Sequence, residues 1–236
     1  MSSMKSESSL LIRGQMIPVL VRRYAQARGY KLRYDGAKGR VLLSVPARGA
    51  IRKALDWAQG QEGWISQQMT AAPDVIVPVP GCLLPINGVE RRICWHPSFP
   101  RRPELAEGEL CVGGPEEQVS ARIGRWLRAY ALSTLTDETH AIAAQEDIYV
   151  AAVRIGDPRS RWGSCAADGV IRYSWRLILA PAEVRQSTVA HEVAHRLHMD
   201  HSAAFHAAHA RLLGRDPAPA RAWLRAHGAS LHRVRL

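Results

Sequence analysis

The chain has 236 residues, of which 47% are hydrophobic and 22% are charged. This composition is typical of globular proteins and excludes a mainly disordered chain, a collagen-like fibre and a small scaffold that depends on disulfides. The net charge of +11 comes mostly from arginine, because only four of the 32 basic residues are lysines.

The first part of the chain is predicted to be rich in β-structure. Residues 1–15 include a Ser-rich opening and are expected to form a disordered tail. Strand-like runs follow over 17–23, 30–35 and 40–46. The last two flank the sequence DGAKG, which favours a β-hairpin. With a predicted helix over 50–70 and short strands up to residue 114, these features indicate a β-rich N-terminal domain over 16–115.

The second part is predicted to be mainly helical. The predicted elements are a helix over 116–145, strands over 148–155 and 169–179, a helix from Pro181 to about 197, and helices after Ser202 and Pro217. Pro181 suits a helix start because the missing N–H needs no partner there, and Ser202 suits an N-cap. We therefore expect an α+β fold with a second domain over 116–236.

The cysteines and the N-terminus indicate the compartment. None of Cys82, Cys94, Cys111 and Cys165 belongs to a C-x-x-C pair, so reduced thiols are expected. The N-terminus lacks the apolar core and cleavage site of a signal peptide, and no run approaches the roughly 18 apolar residues of a membrane span. These features predict a cytoplasmic protein without membrane attachment.

The most informative segment is H-E-V-A-H at 191–195, inside the helix predicted from Pro181. Four residues make about 1.1 helical turns, so His191 and His195 project from one face and can share a metal ion. Glu192 can reach a metal-bound water as the general base of a metal-dependent hydrolase. Because six of the ten histidines lie over 191–209, local histidine enrichment is the alternative explanation.

A zinc hydrolase needs a third protein ligand. No Glu follows Glu192, and the later carboxylates are Asp200 and Asp216, so a histidine is favoured over an aspartate. His198 would lie about 10 Å along the helix from His191, which is too far for zinc bonds of about 2 Å.

His201 is the preferred third ligand. It follows His195 by six residues, the spacing of H-E-x-x-H-x-x-G-x-x-H. The chain must turn first, at His198 or at Asp200, residue types that tolerate positive φ. The rivals are His206 and His209, which a solvated helix face also explains.

Several motifs in this region resemble one family. They are R-W-G-S-C at 161–165, W-R-L-I at 175–178 followed by Ala180-Pro181, the H-E-x-x-H segment, and His201-Ser202 with Phe205 three residues later. In these motifs, and over about residues 18–225, the chain resembles the YgjP-like zinc metallopeptidases, which are related to the SprT-like and WLM groups. It departs from the family pattern at Ser174, Ser187–Val189 and His206, which leaves the proposed ligands untouched.

The resemblance implies a zincin-like catalytic core, in which an active-site helix packs on a small antiparallel or mixed sheet. It also implies one zinc ion per chain and a peptide or protein substrate. The ligands would be His191, His195 and His201, with Glu192 as the general base.

Other residues near the motif have candidate roles. Tyr173, Arg172 and Arg161 are candidates for stabilising the oxyanion or binding substrate, although core packing and surface charge are the alternatives. The strand containing Tyr173 is a candidate sheet edge for an extended peptide. Ser164 and Cys165 suggest a nucleophile, but a structural loop under the zinc site is the favoured interpretation.

The charge distribution supports a competing function. Residues 11–60 carry +9, residues 104–147 carry −6 and residues 201–236 carry +5. The basic segments could contact nucleic-acid phosphates, and aromatic residues interleaved with the first segment could stack on bases. These aromatic residues are Tyr24, Tyr30, Tyr34, Trp57 and Trp64. A solvated basic surface and an inactive metal-binding scaffold are further alternatives, and the sequence makes no prediction of oligomeric state.

Overall fold

The computed structural model describes residues 5–36, 39–70 and 75–236. The chain forms two compact units, Met1–Val75 and Ile76–Leu236. The strands are β1 (Lys5–Ile12), β2 (Gln15–Tyr24), β3 (Lys31–Asp35), β4 (Arg40–Pro46), β5 (Leu83–Ile86), β6 (Val89–Trp95), β7 (Glu104–Ala106), β8 (Glu109–Val112), β9 (Ala152–Gly156), β10 (Gly163–Cys165) and β11 (Val170–Ser174). The α-helices are α1 (Ile51–Gln59), α2 (Glu62–Thr70), α3 (Val119–Ala143), α4 (Ala182–Ala194), α5 (Ala203–Leu213) and α6 (Ala218–Leu231). The α+β class is confirmed, and none of these helices has the length and apolar character needed to cross a bilayer.

The first unit is a four-stranded mixed sheet with two helices. The strand order is β1-β2-β4-β3, with β2 and β4 parallel and the outer pairs antiparallel. Alternate residues of β4 are buried, as expected for a strand with one face on a core. Ala54, Ala58 and Ile65 of the two helices belong to the same buried cluster. The predicted hairpin is confirmed by the antiparallel pairing of β3 and β4, although residues 37–38 of its turn lie outside the described ranges.

Two features of this unit differ from the predictions. Residues 5–12 of the predicted tail form β1, which pairs with β2 because Leu10 and Ile12 are buried in the core; residues 1–4 lie outside the described ranges. The helix predicted over 50–70 is two helices separated at Gly60 and Gln61. Glycine is a poor helix former, which favours a break at this point.

The second unit contains two sheets and four helices around one core. Its sheets have the orders β5-β6-β8-β7 and β10-β11-β9, and both mix parallel and antiparallel pairs. Helix α3 contributes a stripe of residues spaced three and four apart. The buried members of that stripe are Val119, Ile123, Leu127, Ala131 and Leu135. Trp126 and Tyr130 of the same helix are half-buried beside the stripe.

The division between the units lies at Val75, whereas the sequence suggested residue 115. The β5–β6 turn explains the difference, because it packs against the segment before α4. The Asn87 N–H donates to the Ile178 carbonyl at 2.7 Å, and the Gly88 N–H donates to the Leu179 carbonyl. Gly88 has φ +76°, and a Cβ atom there would lie 2.8 Å from Cα of Pro181. The strands over 83–112 therefore fold with the following helices.

The strand predicted over 169–179 also changes character along its length. Strand β11 ends at Ser174, and Trp175–Leu179 form a 3₁₀ helix. The Ser174 hydroxyl accepts a hydrogen bond from the Arg176 N–H at 3.4 Å and caps this helix. The polar side chain thus supports the change from extended to helical backbone.

Candidate active site

Helix α4 carries the H-E-x-x-H segment at its C-terminal end. The buried residues that flank the motif histidines include four small apolar ones, which are Val189, Ala190, Val193 and Ala194. The helix ends at Ala194, three residues before the predicted end, and the His198 N–H donates to the Ala194 carbonyl at 3.0 Å. The chain therefore starts to turn immediately after the motif.

The turn that follows brings the chain back toward α4. An Asp200 carboxylate oxygen accepts from the Ser202 N–H at 3.2 Å, and the Ser202 hydroxyl accepts from the Phe205 N–H at 3.4 Å. The second bond confirms Ser202 as the N-cap of α5. The described non-glycine residues with positive φ are Arg13, Asn87 and Asp147. The turn thus forms without the left-handed residue expected at His198 or Asp200.

This reversal places the His201 ring against the two histidines of the motif. One ring nitrogen from each of His191, His195 and His201 lies within 4.8 Å of the others. The Nε2 atoms of His201 and His191 are 3.3 Å apart. Two nitrogens bound to one tetrahedral zinc ion at 2.0–2.1 Å would lie about 3.3 Å apart. The donor set and its spacing therefore fit a zinc ion.

The backbone of His198 orients one of these rings. Nδ1 of His195 lies 3.1 Å from the carbonyl oxygen of His198. A carbonyl can only accept, so Nδ1 carries the proton and Nε2 keeps the lone pair that a metal would need. His198 therefore supports the site through its main chain.

The protonation of the histidines also suits metal binding. Burial, together with neighbouring imidazoles that include His209, lowers the pKa of His191 to about 3. Burial lowers the pKa of His195 as well. Both rings are therefore neutral at neutral pH, which is the form that coordinates a metal.

Glu192 lies beside the histidines and is almost completely buried, with 5% of its surface exposed. Burial raises the pKa of Glu192 to about 7, and the positive charge of Arg161 acts in the opposite direction. A carboxyl group in this range can accept and release a proton near neutral pH.

Phe205 packs against all three rings of the cluster. Its ring centroid lies 4.9 Å from that of His191, 4.5 Å from His195 and 4.7 Å from His201, and its side chain is fully buried. In the sequence, Phe205 stood out only as part of the motifs shared with the YgjP-like family. The general signal that could have identified it is an aromatic residue one turn into the helix that follows the third histidine.

The rival histidines lie outside the ligand cluster. His209 is buried, and its Nε2 is 2.9 Å from the Ser187 carbonyl oxygen, so that nitrogen is already engaged. Its ring packs edge-on against His191. His206 is exposed, and its ring centroid is 6.4 Å from that of His201.

The last three residues of the R-W-G-S-C segment form the edge strand β10, next to Glu192. A Cβ atom at Gly163 would lie 2.7 Å from both Cγ and Cδ of Glu192, so only glycine leaves room for this carboxyl. Trp162 anchors the segment by packing against Gly228 and His232. Burial raises the pKa of the Cys165 thiol. These contacts favour the structural interpretation of the loop over a Ser164 or Cys165 nucleophile.

The prediction that the strand containing Tyr173 is a sheet edge is wrong. Strand β11 lies between β10 and β9 and pairs with both. A local sequence pattern cannot distinguish a central strand from an edge strand when its partners come from other segments. The edge nearest Glu192 is β10.

The three predicted oxyanion residues have different surroundings. Tyr173 is buried, its hydroxyl lies 3.0 Å from the hydroxyl of Thr139, and burial raises its pKa. Arg172 is exposed and lies opposite Ser164 in the sheet. Arg161 is also exposed, and it is the one whose charge affects the pKa of Glu192. Core packing therefore accounts for Tyr173, and Arg161 is the best placed of the three.

The aromatic residues of the basic first unit divide into two groups. Tyr24, Trp57 and Trp64 are 45%, 37% and 37% exposed. Tyr30 and Tyr34 pack against the core of that unit. Nucleic-acid binding through the exposed group stays a prediction.

Comparison with known proteins supports the resemblance carried by these motifs. A family model described as YgjP-like, metallopeptidase domain, matches residues 31–227. This range includes the histidine cluster, Glu192 and strand β10. The search of curated proteins and the search of solved structures each found no match.

Proposed function

This chain belongs to the YgjP-like metallopeptidase family, and on that premise we propose that it is a zinc-dependent peptidase with a zincin-like catalytic core. The observation that carries the proposal is the 3.3 Å approach of His201 Nε2 to His191 Nε2, beside a buried Glu192. The spacing matches two nitrogens on one tetrahedral zinc ion.

In this proposal His191, His195 and His201 hold one zinc ion per chain. When bound, such an ion lowers the pKa of a water molecule and polarises a carbonyl group. The protein would keep the ligands preorganised, because His195 is oriented by the His198 carbonyl and all three rings pack on Phe205.

Glu192 is the proposed general base. Its carboxylate would take a proton from the attacking water and then deliver that proton to the nitrogen of the leaving amine. The space left by Gly163 lets the carboxyl occupy its position beside β10. Arg161 is the proposed electrostatic partner for charge that develops on the substrate.

The free edge of β10 is the proposed substrate platform. The Ser174 N–H donates to the Trp162 carbonyl, and the Ala166 N–H donates to the Val170 carbonyl, so these residues face β11. In an antiparallel pair the bonding direction alternates, and the backbone groups of Gly163 and Cys165 therefore point away from β11. An extended peptide could add there as another strand.

The test compares Glu192→Gln with Glu183→Gln, which makes the same change at an exposed position of α4. Each purified protein is analysed for zinc and for cleavage of fluorescently labelled casein and of a mixed fluorogenic peptide library. We expect the same zinc content in all three proteins, with at least one ion per chain, and cleavage by the wild type and Glu183→Gln only. Wild-type protein that binds no zinc, or Glu192→Gln with full cleavage activity, would contradict the proposal.

A second proposal is that the basic first unit binds nucleic acid, with the zinc site acting on DNA-bound proteins or only supporting structure. The exposed side chains of Tyr24, Trp57 and Trp64 favour it, because aromatic faces can stack on bases. Binding of labelled single-stranded and duplex DNA is measured by anisotropy at roughly 50 and 200 mM salt. We expect binding that weakens with salt, and no binding at the lower salt concentration would reject this proposal.

A further inference from the structure

A second cluster of potential metal ligands lies on the sheet β5-β6-β8-β7. Donor atoms of Cys94, Glu109 and Cys111 lie within 4.8 Å of one another, and all three side chains are half-buried. None of them belongs to the elements that carry the histidine cluster. We propose that these residues form a second site, which binds a thiophilic divalent cation of the Zn²⁺ or Cd²⁺ class.

Strand register places the three side chains together. Strands β6 and β8 are parallel, with Cys94 directly opposite Cys111. Glu109 precedes Cys111 by two residues, so both project from the same face of β8. The Cys111 thiol lies 3.9 Å from a Glu109 carboxylate oxygen. The cluster is therefore held by the backbone pairing of two strands.

The same face of the sheet offers a candidate for a fourth ligand, a carboxylate oxygen. Strand β7 is antiparallel to β8, and Glu104 lies directly opposite Cys111. Residues paired across a sheet share a face, so the exposed Glu104 side chain stands next to the cluster. Two thiolates and two carboxylates, or two thiolates, one carboxylate and a water molecule, would complete the four-coordinate shell that zinc prefers.

The donor types select the class of cation. Thiolate ligands favour Zn²⁺ and softer ions, whereas Mg²⁺ and Ca²⁺ prefer oxygen donors throughout. Each thiol would release one proton to solvent on binding, so one cation replaces two protons. Arg92, which is paired in register with Glu109, would offset the remaining negative charge.

The test uses Co²⁺ as the probe with the full-length, reduced chain. Thiolate-bound Co²⁺ has a charge-transfer absorption band in the near ultraviolet, which imidazole ligands do not produce. We expect this band in the wild type, its loss in the double variant Cys94→Ser/Cys111→Ser, and its retention in Cys82→Ser/Cys165→Ser, which removes the same number of thiols. Absence of the band from wild type, or its persistence in Cys94→Ser/Cys111→Ser, would overturn the proposal.

Two further variants complete the test. Glu109→Gln preserves both thiols but removes a direct ligand. Replacing a residue that only hydrogen-bonds to a metal ligand weakens metal binding by roughly tenfold or more, so loss of a direct ligand should weaken Zn²⁺ affinity at this site by at least that factor. Unchanged affinity would remove Glu109 from the ligand set and contradict the proposed site. The variant His191→Ala/His195→Ala should keep the thiolate band. Its result separates this site from the proposed peptidase centre, since either can fail without the other.

Discussion

Gly163 in β10 lies so close to Glu192 in α4 that a single added methyl group would overlap the Glu192 side chain. A Cβ atom there would be 2.7 Å from both Cγ and Cδ of Glu192. The residues are separated by almost thirty positions in sequence, and the absence of a side chain at one creates the space for the carboxyl of the other. This contact connects the R-W-G-S-C motif with the proposed general base.

We therefore expect Gly163→Ala to displace the Glu192 carboxyl while leaving the three histidines in place. Loss of positioned general-base catalysis should lower cleavage of the casein or peptide probe by about 10²–10⁴-fold. Zinc content should stay near that of wild type, which separates the effect from loss of the metal. The measurements are probe cleavage and zinc analysis of the same preparations.

Gly63→Ala is the matched control for this change. Gly63 lies in α2, and a Cβ atom there would have no neighbour within 4 Å. It should leave cleavage unchanged, because alanine is the better helix former. Cleavage by Gly163→Ala at the wild-type rate would show that the position of Glu192 does not depend on this contact.

The second prediction concerns the third ligand. His201→Ala removes one of three donor atoms. Substitutions of residues that only hydrogen-bond to a metal ligand lower metal affinity by roughly 10–100-fold, so this variant should lower zinc affinity by at least that much. His206→Ala is the control, since that ring is exposed and lies outside the cluster. Affinity is measured by competition with a chromogenic chelator. A larger loss in His206→Ala or in His209→Ala than in His201→Ala would contradict the ligand assignment.

The parts of the site that were predictable are local in sequence. The four-residue spacing of His191 and His195 fixes their common face in any helix, and the absence of a later Glu directed attention to His201. The Ser202 cap was also visible, because capping depends on a side chain and the next few residues. The family resemblance rested on the order of these same local motifs.

The features that were missed depend on contacts between distant segments. The central position of β11 requires both β9 and β10 as partners, and the pattern of β11 contains neither. Strands β5 and β6 fold with the helical part of the second unit through the turn at Asn87 and Gly88, which contacts the segment before α4. The predicted boundary at residue 115 could not include that packing. The pairing of Cys94 with Cys111 has the same origin in strand register.

The third prediction tests the packing beneath the histidines. Phe205→Leu keeps an apolar side chain but loses the ring that contacts all three imidazoles. Without the ring, the three histidines are held less firmly, and zinc should bind about tenfold more weakly. This is the smaller effect seen when a residue that supports a metal ligand without touching the metal is replaced. The chain has one other phenylalanine, Phe99, which is half-buried and far from the motif in sequence. Phe99→Leu should preserve zinc affinity, and an equal loss in both variants would argue against a specific role for Phe205.

The fourth prediction concerns a largely buried ion pair that anchors α4 to α3. The Arg185 guanidinium donates to both carboxylate oxygens of Glu138 at 2.8–3.1 Å and to the side-chain oxygen of Asn87 at 2.6 Å. Glu138→Ala would leave Arg185 buried without its counter-charge. Removing one partner of a buried pair costs about 3–5 kcal/mol, and we expect the free energy of unfolding to fall by that amount in denaturant titrations.

Glu146→Ala provides the comparison, because it removes a carboxylate from an ion pair with Arg211 that is largely exposed. An exposed pair gains little from its Coulomb attraction in water, so this variant should unfold at nearly the wild-type denaturant concentration. The contrast isolates burial as the cause, since both variants replace a glutamate that binds an arginine through two oxygens. Equal destabilisation by the two substitutions would mean that the Glu138–Arg185 pair contributes no more than a surface contact, and that apolar packing alone holds α4 in position.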